Sequence, residues 1–250
     1  MKTANDLFSD DAEGYQKYRP EYPTEFLEEI ISLVIQQERC WDCGTGNGQV
    51  ARVLSRFFKT VKATDISQAQ LKKSYRSSNI DYSVERAEDS SFPDDHFDLI
   101  TVAQAVHWFD FSHFFKEAVR VSNNGCIIAL WGYGLLHFNN ELDALIDKFY
   151  HKLQSDWAKE RRHIENNYNS IPFPFENIPL SKSYAIRLEF NLEELIGYLD
   201  TWTALKNYRK RQQLNPLKEF KEELSAVWKG NDKRKLATFP IFTKIGRISK

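Results

Sequence analysis

The 250-residue chain has only three cysteines, Cys40, Cys43 and Cys126. So sparse and odd a set builds no disulfide framework. Cys40 and Cys43 do spell Cys-x-x-Cys, but a redox pair at that spacing opens a helix and a structural zinc site wants a second pair. The segment reads instead as a strand, on which positions 40 and 43 point to opposite faces; buried thiols are expected there, and no metal site. Also missing is any run of about 20 apolar residues, the length a membrane helix needs. The start, Met1 to Asp6, carries no apolar signal region and no myristoylation glycine. Nor is there an excess of either charge: Lys+Arg 34 against Asp+Glu 35 leaves a formal −1, which supplies no field to draw the protein onto nucleic acid or anionic lipid. Internal repeats and low-complexity tracts are absent. A cytoplasmic protein without nucleic-acid or membrane partners is the default expectation; the sequence does not fix an oligomeric state.

What is present is a chain 42% hydrophobic and 28% charged, suited to a single domain over residues 1–250 with one sizeable core and room for an inserted cap. It is organised around residues 40–48, Cys-Trp-Asp-Cys-Gly-Thr-Gly-Asn-Gly. The spacing predicts a strand, a glycine turn and a helix over 49–58. Gly44, Gly46 and Gly48 suit such a turn because they tolerate positive φ and let a ligand approach the backbone. The helix that follows offers unpaired N–H groups at its start. Asp65 closes the next strand, 61–66, roughly 20 residues on, where an acidic side chain can hold the two hydroxyls of a ribose. A dinucleotide fingerprint would place its third glycine at position 49, which is Gln49.

Asp42, Gly44, Gly46 and Gly48 match the acidic-x-Gly-x-Gly-x-Gly motif of class I S-adenosylmethionine (SAM) methyltransferases, which this chain resembles. Two further segments are similar to the trans-aconitate methyltransferase group within that family: Tyr15-Gln16-Lys17-Tyr18-Arg19-Pro20-Glu21-Tyr22-Pro23, and Gln104-Ala105-Val106-His107-Trp108-Phe109. The resemblance implies SAM as cofactor. It implies that Asp42 meets the methionyl end and Asp65 the ribose, that Thr45 and Ile66 lie beside them, that Ala87 and Glu88 meet adenine, and that Gln104, Ala105 and Trp108 form the cofactor floor. Arg86 stands where many relatives carry an adenine-binding Asp. The first segment, within an arm of residues 1–23, implies a flap that brings Tyr15, Tyr18 and Arg19 to the site, with Tyr18 and Arg19 acting on the acceptor; packing of the arm's aromatics against the domain is the alternative.

The remaining pattern is βα alternation. A helix is expected over 24–37, capped by Thr24 and carrying an apolar stripe that includes Val34 and Ile35. Strands are expected over 82–87, 96–103 and 126–131, with a turn at 123–125. The carboxyl ends of parallel strands face the ligand crevice. His107 is therefore a candidate catalytic residue, and Trp131, Tyr133 and Tyr168 are candidate substrate contacts. Residues 138–180 read as an insertion between strands five and six, either a substrate cap offering Arg161, Arg162 or Tyr168 to an acidic molecule or a solvated helix pair. A sixth strand over 184–190, helices over 192–211 and 217–228 and an edge strand over 237–245 with Pro240 complete the chain. The fold class expected is α/β: a doubly wound, seven-stranded, mostly parallel Rossmann-like sheet with a helical cap. Between Ala103 and Val106 there is neither the Asp/Asn-Pro-Pro-Tyr that holds a flipped base nor a Pro-Cys nucleophile. The function implied is methyl transfer to a small molecule, either a carboxylate or another O or N nucleophile; RNA methylation and SAM binding without turnover are the alternatives.

Overall fold

Apolar strands set the frame. In a computed structural model, which describes residues 20–230 and 232–250, β1 (Arg39–Cys43), β2 (Thr60–Asp65), β3 (Ile80–Val84), β4 (Phe97–Ala103) and β5 (Ser122–Tyr133) pair in parallel. All of β4 but Ala103 is buried, as befits a parallel strand covered on both faces. Helices α1 (Thr24–Ser32), α2 (Gln49–Leu54), α3 (Gln68–Leu71) and α4 (Phe111–Val121) lie between these strands or before them. Cys40 belongs to the apolar cluster on one face and Cys43 to the cluster on the other, the alternation of a strand.

The sheet runs β3-β2-β1-β4-β5-β7-β6. The last strand, β7 (Lys235–Arg247), is antiparallel to both β5 and β6 (Ala185–Phe190), so the sheet is the mostly parallel, seven-stranded one expected. Its edge differs. β7 lies inside the sheet and β6 is the edge strand. Residues 235–240 of β7 pair with β6, and residues 241–247 pair with β5. Pro240 is tolerated where the strand changes partner, rather than at an exposed edge, because its missing N–H falls between the two ladders.

Helices α5 (Asn140–Lys152) and α6 (Arg161–Glu165) precede β6; α7 (Leu192–Asp200), α8 (Thr203–Gln212) and α9 (Pro216–Trp228) follow it. A third apolar cluster joins α5, α7, α8 and α9 to Tyr133 and Phe239. Within it Phe149 of α5 stacks on Phe220 of α9 at 4.1 Å between ring centres. The described residues therefore form three apolar clusters rather than one core, and helices from two separate stretches share the third.

Several boundaries move for physical reasons. Helix α1 stops at Ser32, and Ile35 is 84% exposed instead of continuing the buried stripe. Pro23, not Thr24, occupies its N-cap. The expected turn at 123–125 lies within β5 as an irregularity, with Gly125 at φ +86 and the β4–β5 register shifting beside it. The helix expected over 192–211 breaks at Thr201, whose hydroxyl turns back to the Tyr198 carbonyl, and the extended Trp202 starts α8. No helix among the described residues is long and apolar enough to cross a membrane.

Candidate active site

The turn after β1 is held by two carboxylates. Asp42, at the end of β1, is 1% exposed. It accepts hydrogen bonds from the Thr45 hydroxyl at 2.5 Å, the Thr101 hydroxyl at 2.9 Å and the Ala51 amide at 3.1 Å. The last of these is a first-turn N–H of α2, so Asp42 caps that helix from a distance, and this N–H is already used within the protein. Burial raises the Asp42 carboxyl to about 6, against the pull of those three donors. Asp65 at the end of β2 accepts from the Gly46 amide at 2.9 Å and the Ser67 amide at 2.8 Å. Burial raises its pKa, opposed by those amides. The Ile66 amide also acts on it, and a carboxylate, with about four lone-pair sites, keeps acceptor capacity beyond these three amides.

The three glycines play different parts. All have positive φ. A Cβ on Gly44 would lie 2.6 Å from the Ala105 Cβ, and one on Gly48 would overlap the Tyr82 hydroxyl. A Cβ on Gly46 would meet nothing within 4 Å. Gly44 thus lets the turn pack on the end of β4, Gly48 lets α2 start under Tyr82, and Gly46 keeps the space in front of the turn clear.

That space is a cavity of about 200 Å³. Asp42, Gly44, Thr45, Gly46, Asp65, Ile66, Ala87, Glu88, Gln104, Ala105 and Trp108 all line it, with Tyr133 at one end. Gly48 does not, because its Cα faces Tyr82 and Ser74. Pro20, Tyr22 and Phe109 also line it; the first two end the arm, and the third ends the Gln-Ala-x-His-Trp-Phe segment, whose full length was the available signal. Tyr15, Tyr18 and Arg19 lie outside the described residues. Arg86 lines the cavity too and sits 3.3 Å from the Glu88 carboxylate. Glu88 is further fixed by accepting from the Asp110 amide at 3.0 Å.

A second, smaller cavity of about 70 Å³ shares Gln104, Trp108 and Tyr133 with the first. Gln104 is the partition. Its backbone sits at φ +53, and its side-chain amide makes a reciprocal pair with the Tyr133 peptide, donating to the carbonyl at 3.2 Å and accepting from the N–H at 2.9 Å. Gly132 permits this, since a Cβ there would lie 2.6 Å from the Gln104 Oε1. Beyond the partition are His107, Trp157, Arg161, Tyr198 and Trp202. No Asp or Glu lines this cavity among the described residues. The Arg161 guanidinium lies 4.6 Å over the Trp157 ring and donates from Nε to the Tyr150 hydroxyl at 3.1 Å. Its two terminal nitrogens have no protein partner among the described residues.

Other placements differ from expectation. His107 lines the second cavity and not the first. Burial, then the charge of Arg161 and the neighbouring His163, push its pKa down to about 3, so the imidazole is neutral and unsuited to hold a proton taken from an acceptor. Trp131 is fully buried against Tyr22 and Phe26 and lines neither cavity; it lies within the covered length of β5, while Tyr133, on the same face two residues on, stands at the strand end. Tyr168 is fully buried under Phe242 and is likewise off both walls. Arg162 is also off both walls. Trp157, Tyr198 and Trp202 line the second cavity without any local motif in the sequence that marks them as site residues.

The first cavity suits an adenosyl amino acid. Gly46 leaves a backbone surface without side-chain cover, Asp65 keeps acceptor capacity for vicinal hydroxyls, and Ala87 and Phe109 supply apolar walls.

Residues 41–130 match the family model described as a methyltransferase domain. A Dictyostelium discoideum protein that carries the name of a methyltransferase is 32% identical over 247 residues, covering 95% of this chain and 93% of that one. CRG1 of Saccharomyces cerevisiae, named as a SAM-dependent methyltransferase, is 26% identical over 168 residues, covering 63% of this chain and 56% of that protein. A solved structure from Anaeromyxobacter dehalogenans, described as a Type II methyltransferase, superposes with a TM-score of 0.85 at 35% identity, covering 93% of this chain and 99% of that one. None of these three descriptions mentions aconitate, so the match stands at the level of the family. With such likeness sustained along nearly the whole of both chains, the protein belongs to the class I SAM-dependent methyltransferases, and its cofactor is S-adenosylmethionine.

Proposed function

We propose that this chain transfers the SAM methyl group to the carboxylate of a small organic acid held in the second cavity. The observation that carries this reading is Arg161: a guanidinium stacked on Trp157, with its terminal nitrogens unpartnered among the described residues, in a cavity without a carboxylate that shares a wall with the cofactor cavity. Such a planar cation suits two-pronged recognition of a carboxylate. The flat rings of Trp157, Tyr198 and Trp202 suit an unsaturated or aromatic body.

SAM, when bound, supplies a methyl group on an activated sulfur leaving group. The residues supply position. The Gly46 turn and Asp65 fix the nucleoside, and Gln104 sets the partition through which the two molecules meet. Arg161 turns the acceptor oxygen toward that partition. A carboxylate is already ionised near neutral pH, so no side chain has to remove a proton.

The test is transfer of labelled methyl from SAM to a pool of small acids and, separately, to RNA. Label in small acids that is released by mild alkali, as a methyl ester is, supports the reading. So does an Arg161→Met variant whose acceptor KM rises on the order of tenfold or more, from loss of a charged hydrogen bond. Label in RNA, label stable to alkali, or no transfer with intact cofactor binding would each overturn it.

A further inference from the structure

The His-Trp pair after β4 sits where a proton-accepting histidine would be sought, yet the contacts of His107 assign it the opposite role. Its Nδ1 lies 3.2 Å from the Tyr168 hydroxyl. Tyr168 is 0% exposed, and His107 is the only hydrogen-bond partner of that hydroxyl among the described residues. A buried O–H left without an acceptor carries a desolvation cost of about 1–3 kcal/mol, so the phenol donates and Nδ1 accepts. A neutral imidazole has one N–H, and with Nδ1 bare the proton is on Nε2. Nε2 is on the opposite edge of the ring from Tyr168. It has no protein partner among the described residues, and it is not one of the polar side-chain atoms sealed from solvent. His107 lines the second cavity, which is where Nε2–H emerges.

We propose that His107 is a hydrogen-bond donor to the methyl acceptor, fixed in its Nε2–H form by Tyr168, and that Tyr168 is the positioning residue that denies the site a proton-accepting imidazole. The inference rests on the second cavity being the acceptor site. The groups facing His107 agree with it: Arg161 and His163 are positive or able to become so, Tyr168 is a neutral phenol whose ionisation burial opposes, and no carboxylate among the described residues lines the cavity to favour an imidazolium. The Trp157 Nε1–H is sealed from solvent, so Arg161 and His107 are the donors this cavity offers. The Arg161 guanidinium and the His107 Nε2–H, facing no protein acceptor among the described residues, match an oxygen-rich anion. They also give a reason for selectivity: a phenol or an amine has to lose a proton on methylation, and among the described residues this cavity provides no carboxylate or charge-accepting imidazole to take it.

Histidine-selective ¹⁵N NMR on the whole protein tests the tautomer without any acceptor, with the His107 signals assigned by their loss in His107→Gln. The expected spectrum has Nε2 protonated and Nδ1 bare, unchanged from pH 5 to pH 8. A proton on Nδ1, or titration within that range, overturns the proposal. Turnover variants test the role. A glutamine amide can donate from near the Nε2 position but is no base, so His107→Gln retains most of the kcat/KM that His107→Ala loses, on the order of tenfold. Tyr168→Phe keeps the ring packing and removes the hydroxyl; it raises the acceptor KM, mixes the tautomers in the spectrum and leaves adenosylhomocysteine affinity unchanged. Equal loss in His107→Gln and His107→Ala, with a rate that climbs through pH 6 to 7 in the wild type, is the signature of a base and overturns the proposal. The expected spectrum in a protein that labels no acid would instead count against the acceptor class alone.

Discussion

Replacing Gly46 by alanine separates the fold from the site. Gly46 sits at φ +58, where an L side chain adds roughly 1–2 kcal/mol of strain. Its backbone is tied on both sides, the N–H to Asp65 at 2.9 Å and the carbonyl to the Ser74 hydroxyl at 3.4 Å, so the turn does not swing aside to relieve it. For a chain of this length the strain lowers Tm by a few degrees, at about 2–4 °C per kcal/mol. The new methyl touches no protein atom within 4 Å, so its steric cost falls on whatever fills the cavity. Overpacking of about 1–3 kcal/mol converts to a loss of adenosylhomocysteine affinity between roughly fivefold and a hundredfold. Gly48→Ala is the control. There the Cβ meets the Tyr82 hydroxyl and lies 3.3 Å from the Ser74 Cβ, outside the cavity, so Tm falls further than in Gly46→Ala. Scanning calorimetry and isothermal titration with adenosylhomocysteine read the two effects separately. The reasoning is refuted if Gly46→Ala binds as tightly as the wild type, or if it loses more stability than Gly48→Ala.

Two further outcomes follow from the buried polar groups. The folded Asp42 carboxyl is raised to about 6 by burial, so the folded state holds a proton that the unfolded state has released. That contribution to stability is present below about pH 4 and is lost as pH rises to 6, on the order of 3 kcal/mol in all; the stability of Asp42→Asn relative to wild type therefore rises over that window in urea titrations, and a flat or falling difference contradicts the assignment. Gln104→Ala removes both partners of the Tyr133 peptide and opens the partition, which lowers stability by about 1–3 kcal/mol and depresses kcat more than it weakens cofactor binding; a pure KM effect would show that Gln104 does not align the two molecules.

The first half of the fold was legible because its signals are local. The central strand β4 is a short apolar run, and Asp42 and Asp65 sit at the ends of the first two strands. The glycine spacing marked the turn, but which glycine faces ligand depended on Tyr82 and Ala105, which are remote in sequence. The second half was less legible because its pairings are long-range. Helices α5 and α9 meet through Phe149 and Phe220 and through a Lys148–Glu223 ion pair at 2.9 Å, and neither segment announces the other. Likewise, nothing local said that β7 changes partner at Pro240. The sequence placed His107 beside the reacting centre, but the contact that selects its tautomer comes from Tyr168, 61 residues away.

The central claim is that the glycine turn and Asp65 hold the nucleoside of SAM. Titrating adenosylhomocysteine into the wild type and Asp65→Ala under one buffer tests it most directly. The account predicts saturable one-site binding that the substitution weakens on the order of tenfold or more, from loss of charged hydrogen bonds, while circular dichroism shows the variant folded. Absence of binding in the wild type, or equal affinity in a folded Asp65→Ala, would contradict it.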